Sequence, residues 1–146
     1  MRARSSGSPA SDVSVLITAD GVRADLVERI GDPDALVVVC LCAAWCDSCR
    51  QFRDVYEAIA VADPAALYVW IDIEDDEALV GDVDIETFPT LAVYRGERLL
   101  HYGVSLPQAG NVSRVIAAAS ERTRPAGEAP DAMRRLPQAL RRRLAG

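Results

Sequence analysis

An α/β fold with a central mixed β-sheet flanked by helices is the expectation for this chain, and three observations carry it. Strand-like and helix-like patterns alternate through the first two thirds of the sequence. One strand is apolar at every position, as a strand covered on both faces must be. A hairpin followed by a helix closes the pattern. Alternation implies parallel pairing in the first part of the sheet, and the hairpin implies an antiparallel edge.

The elements follow in order. Residues 1–12 are small and polar and read as a flexible extension. Val13–Thr18 reads as a short strand. Asp20 is placed to cap a helix over Val22–Ile30, with Val22, Leu26, Val27 and Ile30 on one face. Gly31-Asp32-Pro33-Asp34 is a turn, and the β-branched run Leu36–Cys42 is the central strand. Cys46-Asp47-Ser48-Cys49 opens a helical pattern continued by Phe52, Val55, Tyr56 and Ile59, with Pro64 beyond its end. Leu67–Ile73 is a further strand. The acidic residues Glu74, Asp75, Asp76 and Glu77 suit the N-terminus of a short helix near Ala78–Val80. Leu91–Tyr94 and Arg98–Tyr102 form the hairpin around Arg95-Gly96-Glu97. Ser105 and Gln108 have capping-box spacing, and Pro107 suits a first helical turn, so a helix is expected from there to about Glu121. Residues 123–146 hold several Pro and Gly and read as a basic tail, with Pro137 interrupting any long helix. The folded domain is thus expected over residues 13–122.

Composition narrows the function. The chain has 146 residues and a net charge of −6, and every Lys/Arg position is Arg. Residues 1–124 carry −9 and residues 125–146 carry +3. An acidic body is a poor match for nucleic acid, which needs a basic surface. The N-terminus is basic but is not followed by an apolar stretch of signal-peptide length, which argues against secretion by that route. The longest apolar run, Ala35–Trp45, is too short to span a bilayer. The expectation is a soluble cytoplasmic protein without a transmembrane segment, and there a close cysteine pair reads as redox or metal chemistry.

Cys46 and Cys49 lie at a strand-to-helix junction. The first thiol can sit at the helix N-terminus, where unpaired N–H groups and the helix dipole favour a thiolate. The second lies one turn in, near enough to attack a mixed disulfide and release the product. Cys46 is therefore the expected attacking thiol and Cys49 the resolving thiol. Cys40 and Cys42 share one face of the central strand and read first as core residues; a four-thiolate metal site, Cys-x-Cys-x3-Cys-x2-Cys, is the competing reading. Asp72 and the acids after it read as a solvated run lacking the spacing of a calcium loop. His101, the only histidine, reads as an ordinary surface or partly buried residue of the edge strand.

The segment Ala43-Ala44-Trp45-Cys46-Asp47-Ser48-Cys49-Arg50 resembles the active-site motif of the thioredoxin family. Phe88-Pro89-Thr90-Leu91 resembles that family's cis-proline segment, and the Arg95-Gly96-Glu97 turn and Gly103 follow as they do there. The resemblance spans roughly residues 13–121. It implies a three-layer thioredoxin-like fold and a thiol–disulfide oxidoreductase that reduces protein disulfides. It implies a cis Pro89 facing the cysteines, a backbone at Phe88 that pairs with substrate, and a docking rim that includes Trp45, Asp47 and Ser48. Partners would be protein disulfides and an electron-donating reductase or thiol, with no cofactor, since the cysteines carry the chemistry. A peptide-binding or chaperone module with slow or regulatory redox chemistry is the alternative. The tail's basic, amphipathic pattern suits an acidic partner, a membrane surface or the chain's own acidic body, and a disordered solubilising tail is the competing reading.

Three positions depart from the family. Asp47-Ser48 replaces the usual Gly-Pro, and the Asp47 charge disfavours a thiolate at Cys46. Cys40 stands where the family has a buried aspartate and Trp70 where a lysine is often found, so both members of a charged pair are replaced together. Cys42 replaces a tryptophan.

Overall fold

The computed structural model describes residues 15–17, 30–43, 46–63, 65–73 and 89–145. The expected N-terminal extension, most of the helix over Val22–Ile30 and the short helix near Ala78–Val80 lie outside them.

Five strands form one sheet: β1 Val15–Ile17, β2 Leu36–Cys42, β3 Leu67–Asp72, β4 Thr90–Arg95 and β5 Arg98–Val104, in the order β1-β3-β2-β4-β5. Among the described residues, the complete helices are α1 Asp47–Ala62, α2 Ala109–Ser120 and α3 Asp131–Ala145. β2 is parallel to β3 and antiparallel to β4, and β5 returns antiparallel on β4. β1 departs from the expected parallel pairing: it runs antiparallel to β3, with Leu16 opposite Val69. Its three residues lie on a sheet edge, where the ladder is short and held from one side only.

Alternation along β2 builds both cores. Val37, Val39 and Leu41 face one layer with Leu67, Val69, Ile71, Ala92 and Tyr94. Val38, Cys40 and Cys42 face the other with Tyr68, Trp70, Leu91 and Val93. The second layer receives α1 through Cys49, Phe52, Tyr56 and Ala60, and α2 through Val112, Ile116 and Ala119. Those spacings of three and four are the apolar stripe of a helix packed on a sheet. Tyr56 fixes α1 through its hydroxyl, whose single hydrogen is shared between Val38 O at 2.9 Å and Val69 O at 3.0 Å. α1 closes at Asp63, whose N–H reaches Ala60 O, immediately before Pro64. In the hairpin, Gly96 adopts φ +63, and a Cβ there would meet Pro33 O at 2.6 Å, so only glycine fits.

The C-terminal residues correct the sequence reading most. The segment expected as a tail contains α3, and Pro137 lies within it. Met133, Leu136 and Leu140 are fully buried against the first core layer. Proline removes a helical N–H, here the one that would reach the carbonyl four residues back, Met133 O. The Tyr94 hydroxyl donates to that carbonyl at 2.7 Å. The orphaned acceptor is satisfied from the sheet, and the helix continues through its proline. Arg141 pairs with Glu97 in the hairpin, and Arg134 donates to the carbonyls of Ala126 and Gly127. α2 begins at Ala109 rather than at Ser105. Its cap residue Gln108 makes no side-chain cap bond, and Ser105 donates instead to Leu106 O, so the capping box does not form.

Candidate active site

β2 delivers Cys40 and Cys42 to the C-terminal end of the sheet, beneath the start of α1. Cys46 is the residue before the first turn of α1, with extended backbone (φ −90, ψ 119) and no side-chain cap bond. Its N–H donates to Ala43 O at 3.0 Å, and its carbonyl accepts from Arg50 N at 3.2 Å. Cys46 therefore holds the N-cap position, next to the unpaired N–H groups of the first turn. It is free and partly exposed, whereas Cys49, one turn on, is 1% exposed.

Cys49 is bonded to Cys42, with the two Cα atoms 5.8 Å apart. The sequence pairing of Cys46 with Cys49 is thus not the bond in this structure. Cys42, read as a core residue, is the partner of Cys49. The signal was present in its position: the last residue of β2, on the face that α1 covers. Cys40 lies 3.9 Å sulfur to sulfur from Cys42. The Cys42 sulfur carries no hydrogen, so the Cys40 S–H is the donor. Burial pushes the Cys40 thiol far above its ordinary range, with Arg53 opposing weakly. Among the described residues no group of three or more histidines, cysteines or acids is placed to hold a metal ion.

The surroundings follow from register. Cys40 stands opposite Trp70 and Cys42 opposite Asp72 on β3, so the two exchanged family positions are neighbours. The Arg53 guanidinium lies 5.1 Å from the Trp70 ring centroid, and Phe52 and Tyr56 pack on that ring at 6.4 and 5.8 Å. Asp72 is 6% exposed, against its reading as a solvated residue, and the acids from Glu74 to Glu77 lie outside the described residues. The end of β3 carries it into the sheet beside Cys42, and Ile73 N donates to Cys42 O at 2.9 Å.

Of the other expected site residues, Asp47 and Ser48 are exposed on the first turn. Asp47 is ion-paired with Arg50, both side chains being exposed. Pro89 is buried one step beyond the Leu41–Thr90 pair, level with Cys42, and its carbonyl accepts from Ser105 N at 3.0 Å. Trp45 and Phe88, and with Phe88 the peptide bond before Pro89, lie outside the described residues.

A thioredoxin family model matches residues 19–115. The chain belongs to the thioredoxin family. This is a family of thiol–disulfide oxidoreductases, and the four cysteines and Pro89 all fall inside the match. The thioredoxin domain-containing protein 2 of Mus musculus is 33% identical over 64 residues, 44% of this chain and 12% of that relative. A thioredoxin of Ophiophagus hannah is 24% identical over 66 residues, 45% of this chain and 63% of that one. The chain thus spans less than two thirds of the length of these curated relatives. The X-ray structure of Fasciola hepatica thioredoxin matches with TM-score 0.56 and 22% identity, over 66% of this chain and 92% of that one, a likeness of fold. Among the described residues no helix is long and apolar enough to cross a membrane.

Proposed function

We propose that this protein reduces protein disulfides by dithiol–disulfide exchange, with Cys46 as nucleophile and Cys49 as resolving thiol. The observation that carries the reading is the free, partly exposed Cys46 at the N-terminus of α1, one turn before a Cys49 already able to hold a disulfide. The Cys46 thiolate attacks one sulfur of the substrate disulfide, and the other sulfur leaves as a thiolate. Cys49 then attacks Cys46, releasing the second substrate thiol and closing a Cys46–Cys49 disulfide. By the family resemblance, backbone at Phe88 would pair with an extended substrate, and Asp47, Ser48 and Trp45 would belong to the docking rim. The cytoplasm, where thiols are kept reduced, suits this chemistry.

Electrons would come from a reductase or a small dithiol. A structure of a ferredoxin:thioredoxin reductase and thioredoxin f2 complex has the same fold as this chain (TM-score 0.54, 17% identity over 70% of this chain and 91% of that one), which supports a reductase as one such donor. Insulin-disulfide reduction with a chemical dithiol tests the reading. Wild type should turn over, and Cys46→Ser should fall to the uncatalysed rate. An inactive wild type with reduced cysteines would defeat it.

A further inference from the structure

Cys49 has a cysteine on either side. Cys46 precedes it by one helical turn toward solvent, and Cys42 meets it from the sheet. Cys42 and Cys49 are each 1% exposed, so a protein substrate reaches neither sulfur directly. Cys46 is partly exposed and remains a thiol although the protein already holds a disulfide. A core cysteine would need only to fill space. Cys42 instead holds the sulfur that the proposed reduction must use a second time.

We infer that Cys42 is a third redox thiol, which takes over the bond to Cys49 after substrate reduction and returns Cys46 to the free form. The inference rests on the reductase reading above and extends it. Substrate reduction leaves a Cys46–Cys49 disulfide. The Cys42 sulfur attacks Cys49 Sγ; the Cys42–Cys49 bond forms as the Cys46–Cys49 bond breaks. The electron pair leaves on Cys46, which takes up the proton that Cys42 gave up. The oxidation level is unchanged, so no oxidant or reductant is consumed.

Two properties follow. The oxidised protein hides its disulfide, and reduction has to start with Cys46 attacking Cys49 in the reverse direction. The oxidised protein also keeps a nucleophile without a free resolving thiol. A mixed disulfide formed at Cys46 in that state has no immediate internal exit, so the oxidised form captures a partner where the reduced form turns it over.

The test maps the disulfide in the full chain. Reduced protein is oxidised with one equivalent of diamide, labelled with iodoacetamide at neutral pH, acid-quenched and cut with chymotrypsin. Cleavage after Trp45 separates Cys42 from Cys46 and Cys49. The expected result is a linked pair of peptides joining Cys42 to Cys49, with Cys46 labelled. Cys42→Ala and Cys42→Ser, oxidised in the same way, should each lose the Cys46 label as Cys46–Cys49 closes. A wild type that holds only Cys46–Cys49, within one peptide, overturns the inference even if it reduces insulin. A wild type that maps Cys42–Cys49 but reduces no insulin supports Cys42 as the partner of Cys49 and removes the reductase reading alone.

Discussion

His101 lies half-buried on β5, and its Nε2 finds no hydrogen-bond partner among the described residues. Burial, with the nearby Arg122 guanidinium, holds its pKa below the ordinary histidine value of 6.5. The folded state therefore favours the neutral ring. Stability from this residue is fully present above the unfolded pKa and is lost as pH falls through that value toward the lowered folded one. The expected outcome is a stability that declines on acidification through this window, less steeply in His101→Gln; urea midpoints across pH measure it. An NMR titration of the ring should show its midpoint below that of a free histidine. The sequence marked this residue as an ordinary surface or partly buried one; the approach of Arg122, which lies beyond α2, is not visible in a local pattern.

At the scale of elements, one buried hydrogen bond ties β4 to α3. Pro137 costs the helix one hydrogen bond, and Tyr94 supplies a donor to the carbonyl left behind. Leaving a buried acceptor unpaired costs about 1–3 kcal/mol. Tyr94→Phe should destabilise the protein by about that much, and by less in a Pro137→Ala background, where the helix supplies its own donor. A double-mutant cycle from urea unfolding measures the difference, and equal costs in the two backgrounds would show that Tyr94 does not serve the proline gap. The sequence argument against a helix here was sound for an isolated segment. It failed because the compensating hydroxyl comes from β4, distant in the chain. By contrast, β2, α1 and the hairpin were legible, since each carries its own periodicity and its own stop signal, as at Pro64 and Gly96.

Across the whole molecule the sheet is packed on both faces, and α3 seals one of them. Met133, Leu136 and Leu140 have no solvent exposure and pack with Val37, Val39, Leu41 and Ile71. Leu136→Ala should cost about 2–5 kcal/mol, as expected for a truncated core leucine. Removal of residues 125–146 should leave an apolar sheet face open, detected as binding of a hydrophobic dye and a lowered unfolding midpoint. A truncated chain as stable as the whole would show that this face does not depend on α3. The amphipathic pattern of α3 was visible, but an exposed amphipathic helix and one docked on its own domain have the same sequence signature.

Local order was determined by the sequence alone. A continuous apolar run makes β2 a two-faced strand, helical spacing puts Cys49, Phe52 and Tyr56 on the buried side of α1, and the Cys46–Cys49 junction with Phe88-Pro89-Thr90 marks the family. The tertiary structure decided which groups meet. It set β1 antiparallel on its edge, carried α3 through Pro137 and brought Asp72 into the sheet. It also joined Cys49 to Cys42 rather than to Cys46. Periodicity records which face a side chain occupies; bonds between faces depend on distances that only the packed sheet and helices establish.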